Sequence, residues 1–154
     1  VILAIDEDAD GRHVLLVDQY RVPLGKRCIE LPAGLVGDHD ASEEASLAAS
    51  RELEEETGVK SADLIGRTGD WVLYDFPPEA MNNAKAWRGF KGQKQQWFAF
   101  RFTGEESEID LEQHEAIEFE AWRWGRLDEA PDLIVPFKRP AYEQVVAAFS
   151  HLAA

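Results

Sequence analysis

The chain has 154 residues and a mass of 17.4 kDa, room for one domain (residues 1–154) built around one core. A hydrophobic fraction of 45% with 10% aromatics excludes a disordered, collagen-like or low-complexity chain. Thirty acids against 16 bases leave a net charge of −14, which repels duplex DNA, and the lone Cys28 cannot form an internal disulfide.

Val1–Ile5 and His13–Tyr20, rich in Val, Ile and Leu, read as two paired strands around the polar turn segment Asp6–Arg12. Cys28–Leu31 reads as a short third strand, after which Pro32, Gly34 and Gly37 make a loop. Asp40 or Ser42 can cap a helix over Ala41–Thr57, and Gly58 is placed to end it. Val59–Ile65, Trp71–Phe76, Gln95–Thr103 and Ile117–Trp124 read as further strands, and Phe137–Leu152 as a closing helix. The mixture of strands with two main helices points to an α/β sandwich. Apolar runs such as Val14–Val17 are far too short for a membrane span. With no export signal visible, a cytoplasmic protein without membrane contact is expected, although the chain opens at Val1 rather than Met, as if the first strand were cut short or a leader missing.

Charge is unevenly placed. From Ala80 to Gly104 there is no acid, while Lys85, Arg88, Lys91, Lys94 and Arg101 stand among Trp87, Phe90 and Trp97. Such a stretch in an acidic body suits an anionic ligand with stackable rings, such as a nucleotide; the alternative is a solvated loop followed by a strand with core aromatics. Part of it lies in an expected loop of about 18 residues, a length at which loops are usually functional or mobile.

The first helix carries the chemistry. At about 100° per residue with Ala45 at zero, Ala49 falls near 40° and Leu53 near 80°, with Glu52 near −20° and Glu56 near +20° on the same apolar face. On this count Glu55 is at the border, at about −80°, and Glu54 faces solvent, near 180°. Like charges on a packing face are costly unless cations neutralise them. Arg51 lies one turn from Glu55 and can pair with it, but is poorly aimed at Glu52 and Glu56 together. A divalent ion such as Mg²⁺ or Mn²⁺ would answer the remaining need, holding phosphate at its open positions; a solvated acidic helix with a shifted phase is the competing reading.

Spacing adds to this. Gly37, Glu43, Arg51, Glu52, Leu53, Glu55, Glu56, Gly58 and Val59 fit a 23-residue pattern: glycine, five residues, Glu, seven residues, Arg-Glu-aliphatic, one residue, Glu-Glu, one residue, glycine-aliphatic. It resembles the Nudix box, and the likeness extends over nearly the whole chain. The resemblance implies an α/β/α sandwich with a mixed β-sheet and a pyrophosphohydrolase holding two or three Mg²⁺ or Mn²⁺ ions. It implies Glu52, Glu55 and Glu56 as metal ligands and Arg51 as the residue orienting them. It also implies a backbone carbonyl near Ala33 as a further ligand, because Leu31-Pro32-Ala33-Gly34 resembles the turn that normally supplies the box glycine, with Gly34 three residues early. An additional ligand or base from beyond the box would be Glu118 or, second to it, Glu115. His39 and His114 are read as loop residues.

Val17–Pro23 and Ile29–Gly34 resemble ADP-ribose pyrophosphatases. Trp71–Pro77, Gly92–Phe98, Glu118-Phe119, Trp122–Trp124 and Val135–Tyr142 resemble bacterial diadenosine polyphosphate hydrolases and RNA 5′ pyrophosphohydrolases, so the chain reads as a mosaic joined near the end of the box. The expected substrate is therefore a dinucleoside polyphosphate or a 5′-triphosphorylated RNA end, with Tyr74, Lys94 and Gln95 as pocket residues. ADP-ribose is the competing substrate, which would add Arg21, and a non-catalytic nucleotide sensor is the reading of another class. Either a monomer or a homodimer is compatible with the sequence.

Overall fold

The computed structural model describes residues 2–8, 11–21, 25–33, 44–75, 77, 92–112 and 119–153. Its strands are β1 (Ile2–Asp8), β2 (Gly11–Arg21), β3 (Lys26–Glu30), β4 (Ala62–Arg67), β5 (Val72–Asp75), β6 (Gly92–Gln95), β7 (Phe98–Phe102) and β8 (Ala121–Gly125). The helices are α1 (Ala45–Thr57), the one-turn α2 (Ala130–Leu133) and α3 (Arg139–Ala153). Six strands form the main sheet in the order β3-β2-β1-β7-β4, with β8 pairing β2; β5 and β6 form a separate two-stranded sheet. The main sheet is mixed, as expected, because β1 runs parallel to β7 and every other pairing is antiparallel.

Alternation along the central strands creates two cores. Leu3, Ile5, Val14, Leu16 and Ala99 pack with Ala141, Tyr142, Val145 and Phe149 of α3, together with Val72, Tyr74 and Trp97. Ile2, Ala4, Leu15, Phe98, Phe100 and Phe102 pack with Ala49 and Leu53 of α1. The sheet is thus sandwiched between the two long helices, matching the layers expected. Among the described residues no helix is long and apolar enough to cross a membrane.

Several boundaries differ from the sequence reading: β1 and β2 run on into the expected turn Asp6–Arg12, β3 begins two residues early, and β8 starts at Ala121 rather than Ile117. Three further differences concern α1, Trp97 and β4. Helix α1 begins at Ala45, where the Glu44 carboxylate accepts the backbone N–H groups of Ser46 and Leu47; Asp40 and Ser42 lie outside the described residues. The single strand expected over Gln95–Thr103 is two, because Trp97 turns the chain out of the hairpin and into the main sheet. Its N–H donates to Thr68 Oγ1 at 3.0 Å, and its carbonyl accepts from Thr68 N at 2.9 Å. The strand expected over Val59–Ile65 sits later, at Ala62–Arg67, with a bulge between Leu64 and Gly66.

Candidate active site

Helix α1 ends where Gly58 adopts φ 80° and its N–H returns to the Glu54 carbonyl, the left-handed stop that glycine accommodates without strain. Between its caps, small Ala48 and Ala49 and the large Leu53 are buried, so the helix sits close on the sheet. Glu52 and Glu56 are buried on the same side, at 9% and 6% exposure, whereas Glu54 and Glu55 are half-buried. The inward pair anticipated from the helical period is present in the folded chain.

The surroundings of these acids are specific. Arg51 Nη1 lies 2.9 Å from Glu52 Oε1 and 2.9 Å from Glu55 Oε2, so one guanidinium nitrogen joins both carboxylates. The pairing with Glu55 is the one expected, and Glu52 joins it although Arg51 was expected to be poorly aimed at Glu52 and Glu56 together. A helical wheel records where side chains leave the axis, while a long guanidinium stem and a flexible carboxylate can lean toward each other from adjacent positions. Glu56 Oε2 accepts the backbone N–H of Ala33 at 3.1 Å, and Oε1 is also shielded from solvent. Ala33 therefore stands beside Glu56, in contact through its amide nitrogen.

Among the described residues no group of three or more His, Cys, Asp or Glu side chains could hold a metal ion. The helix alone is therefore not a closed cage. Mg²⁺ commonly takes only one or two carboxylates and keeps water or phosphate at its other positions, and two inward carboxylates one turn apart supply hard oxygen donors of that kind. The described residues fit an ion completed by its substrate. Glu118, Glu115, His39, His114, Gly34 and Gly37 lie outside the described residues, as do Lys85, Trp87, Arg88, Phe90 and Lys91.

The expected pocket residues are gathered elsewhere. Tyr74, Lys94 and Gln95 share the β5–β6 hairpin, whose Asp75–Gly92 pair brackets residues 76–91. Tyr74 is buried in the α3-side core, its ring centroid 6.0 Å from that of Phe137 and 5.8 Å from Lys138 Nζ. Lys94 is exposed and lies over the Trp71 ring at 4.8 Å. Gln95 accepts the Trp97 indole N–H at 3.1 Å. Arg21 closes β2 opposite Lys26. Tyr74 thus belongs to the α3 side and Lys94, paired with exposed Leu73, to the hairpin's solvent face, while the glutamates belong to α1.

Sequence reasoning missed the buried Glu30, whose carboxylate accepts the Gln19 side-chain amide and lies 3.8 Å from Lys138 Nζ. It also missed Tyr142, whose hydroxyl accepts the Leu31 N–H at 3.0 Å. Both ties bring distant segments together, and no local pattern in the chain announces them.

Residues 1–145 match the NUDIX domain family. A relative named RNA pyrophosphohydrolase, from Caulobacter vibrioides (strain NA1000 / CB15N), is 59% identical over 144 residues, covering 91% of this chain and 84% of its own. Another of that name, from Rhodopseudomonas palustris (strain HaA2), is 48% identical over 128 residues, covering 80% of this chain and 73% of its own. Among solved structures, the C. elegans Ap4A hydrolase binary complex superposes with a TM-score of 0.65 at 17% identity, covering 98% of this chain and 96% of that one. The E. coli dihydroneopterin triphosphate pyrophosphohydrolase gives 0.63 at 22% identity, over 95% and 93%. At such low identity these two likenesses speak for the fold. Signature, layered fold and sequence relatives agree: the chain belongs to the NUDIX domain family and is a Nudix pyrophosphohydrolase.

Proposed function

We propose that this chain, as one domain over residues 1–154, hydrolyses a phosphoric anhydride bond of a nucleoside polyphosphate, with a 5′-triphosphorylated RNA end as the preferred substrate and a dinucleoside polyphosphate as the next. The observation that carries this reading is the inward pair Glu52 and Glu56, held beside Arg51 and the Ala33 amide. The names of the relatives from Caulobacter and Rhodopseudomonas support the RNA end. ADP-ribose remains the competing substrate on the likeness of residues 17–23 and 29–34.

Glu52, Glu55 and Glu56, with Glu118 and the Ala33 carbonyl as further candidates, would hold Mg²⁺ or Mn²⁺, two or three ions in all. Bound there, such ions supply charge neutralisation of the phosphate oxygens and a more acidic water for in-line attack on phosphorus. Arg51 keeps Glu52 and Glu55 oriented through Nη1, and the Ala33 N–H fixes one Glu56 oxygen so that the other keeps a constant direction. Lys94, Gln95 and Tyr74, with Arg21 for ADP-ribose, are the proposed substrate contacts. The reading places the protein in the cytoplasm, as a monomer or homodimer, acting on small nucleotides or RNA ends and not on duplex DNA.

The test is chromatographic product analysis with Mg²⁺ and a panel of 5′-triphosphorylated RNA, diadenosine tetraphosphate and ADP-ribose, for wild type, Glu56→Gln and Glu118→Gln. Turnover of the RNA end that falls by two or more orders of magnitude in Glu56→Gln is expected. Undiminished turnover in either variant removes that residue from its role, and preferential cleavage of ADP-ribose replaces the substrate. Tight binding that yields no product from any of the three would favour the sensor.

A further inference from the structure

The last residue of strand β3 and the three that follow it are each tied to another segment of the chain. Glu30 meets Gln19 and Lys138, the Leu31 N–H donates to the Tyr142 hydroxyl at 3.0 Å, the Pro32 carbonyl accepts from Ile2 N at 2.9 Å, and the Ala33 N–H donates to Glu56 Oε2 at 3.1 Å. This short strap runs from the C-terminal helix on one face of the sheet to the glutamate helix on the other. Glu30 of the strap and two of the strap's partners are buried, at 4% exposure for Glu30, 5% for Tyr142 and 6% for Glu56. Hydrogen bonds of this kind in a low-dielectric interior fix position more firmly than they do at a surface.

We propose that Tyr142 and Glu30 are positioning residues for Glu56. The Tyr142 hydroxyl and the Glu30–Lys138 pair set the height of the strap, and the strap sets the Ala33 N–H against one oxygen of Glu56. The direction of the remaining oxygen, and with it the affinity for a divalent ion, is then governed from the opposite side of the sheet. This rests on the metal-dependent reading above.

The experiment measures Mn²⁺ binding to the whole chain by electron paramagnetic resonance without substrate, alongside thermal melting and the Mg²⁺ concentration giving half-maximal hydrolysis. Tyr142→Phe deletes only the hydroxyl, and Glu30→Gln keeps the shape while removing the charge that faces Lys138. Val145→Ala, on the same helix and fully buried, is the control, since its side chain offers the strap no hydrogen bond. Tyr142→Phe and Glu30→Gln are expected to weaken Mn²⁺ binding at least threefold and to raise the half-maximal Mg²⁺ concentration by a similar factor. Excess Mg²⁺ should restore most of the rate, and Val145→Ala should lower the melting temperature without moving the Mn²⁺ affinity. If one strap variant fails to fold, the other carries the test. Unchanged Mn²⁺ affinity in a folded strap variant, or an equal loss in Val145→Ala, overturns the proposal. A wild-type chain that binds no Mn²⁺ overturns the metal reading and this proposal with it, an outcome distinct from wild-type binding that the variants leave intact.

Discussion

Replacing Arg51 by methionine keeps an unbranched apolar stem and deletes the nitrogen that joins Glu52 to Glu55. The Arg51 and Glu52 side chains are 21% and 12% exposed, so their contact approaches a buried pair, while Glu55 at 36% behaves nearly as a surface partner. Breaking a fully buried pair costs about 3–5 kcal/mol and an exposed one about 0.2–1. Partial exposure here argues for about 2 kcal/mol from the Glu52 contact and about 0.5 from the Glu55 contact. For a domain of this length that total corresponds to a fall of about 5–10 °C in melting temperature. The value applies in EDTA, where the carboxylates face one another without the guanidinium. On the proposed metal reading, saturating Mg²⁺ would take over the neutralising role and also favour the folded state by mass action, so the loss should shrink to half or less. Calorimetric melting of both proteins in EDTA and in Mg²⁺ reads this directly. An equal loss in the two buffers would refute the reasoning, because it would mean that Glu52 and Glu55 are paired for folding alone.

Leu53→Ala removes a side chain 1% exposed between the glutamate helix and the sheet; a loss of about 2–5 kcal/mol in urea unfolding is expected, together with lower turnover per folded molecule. Gly58→Ala places a Cβ on a residue at φ 80°, for which a cost of about 1–2 kcal/mol is expected in the same assay. The Ser46 hydroxyl, then the backbone N–H groups of Ser46 and Leu47 and the Arg67 charge, hold the Glu44 carboxyl below its ordinary value of 4.5, against some desolvation. A depressed folded-state value means that the carboxylate's contribution is complete above 4.5 and is lost as the pH falls through the lowered value. Glu44→Gln should therefore melt lower than wild type at pH 7, with the gap narrowing as the pH falls below 4.5; a gap that does not narrow under acid contradicts the cap.

Glu52 and Glu56 were legible because helical geometry converts a spacing of four into a shared face, and neither tertiary contacts nor solvent can change that. Gly58 was legible for a similar local reason: only its backbone had to be considered. The start of the same helix was not, since several residues between Asp40 and Glu44 are competent caps and only the folded chain shows Glu44 in that role. The break at Trp97 escaped because Thr68, far away in sequence, supplies the hydrogen bonds that bend the chain there. Nothing local in the short third strand marks Glu30 as buried. Its burial depends on Gln19 and Lys138, and that pairing exists only once the hairpin strands and the C-terminal segment have met.

The parallel pairing of Ile2–Ile5 with Phe98–Arg101 bears on how the chain is made. During ribosomal synthesis the segment carrying Glu52, Leu53 and Glu56 emerges well before Phe98 and Phe100, which complete its docking surface. Until then the leucine-bearing side of that segment has an unfinished floor, and its acids have no fixed surroundings. The surroundings of these acids are consequently settled late, only after the segment carrying Phe98 and Phe100 has left the exit tunnel.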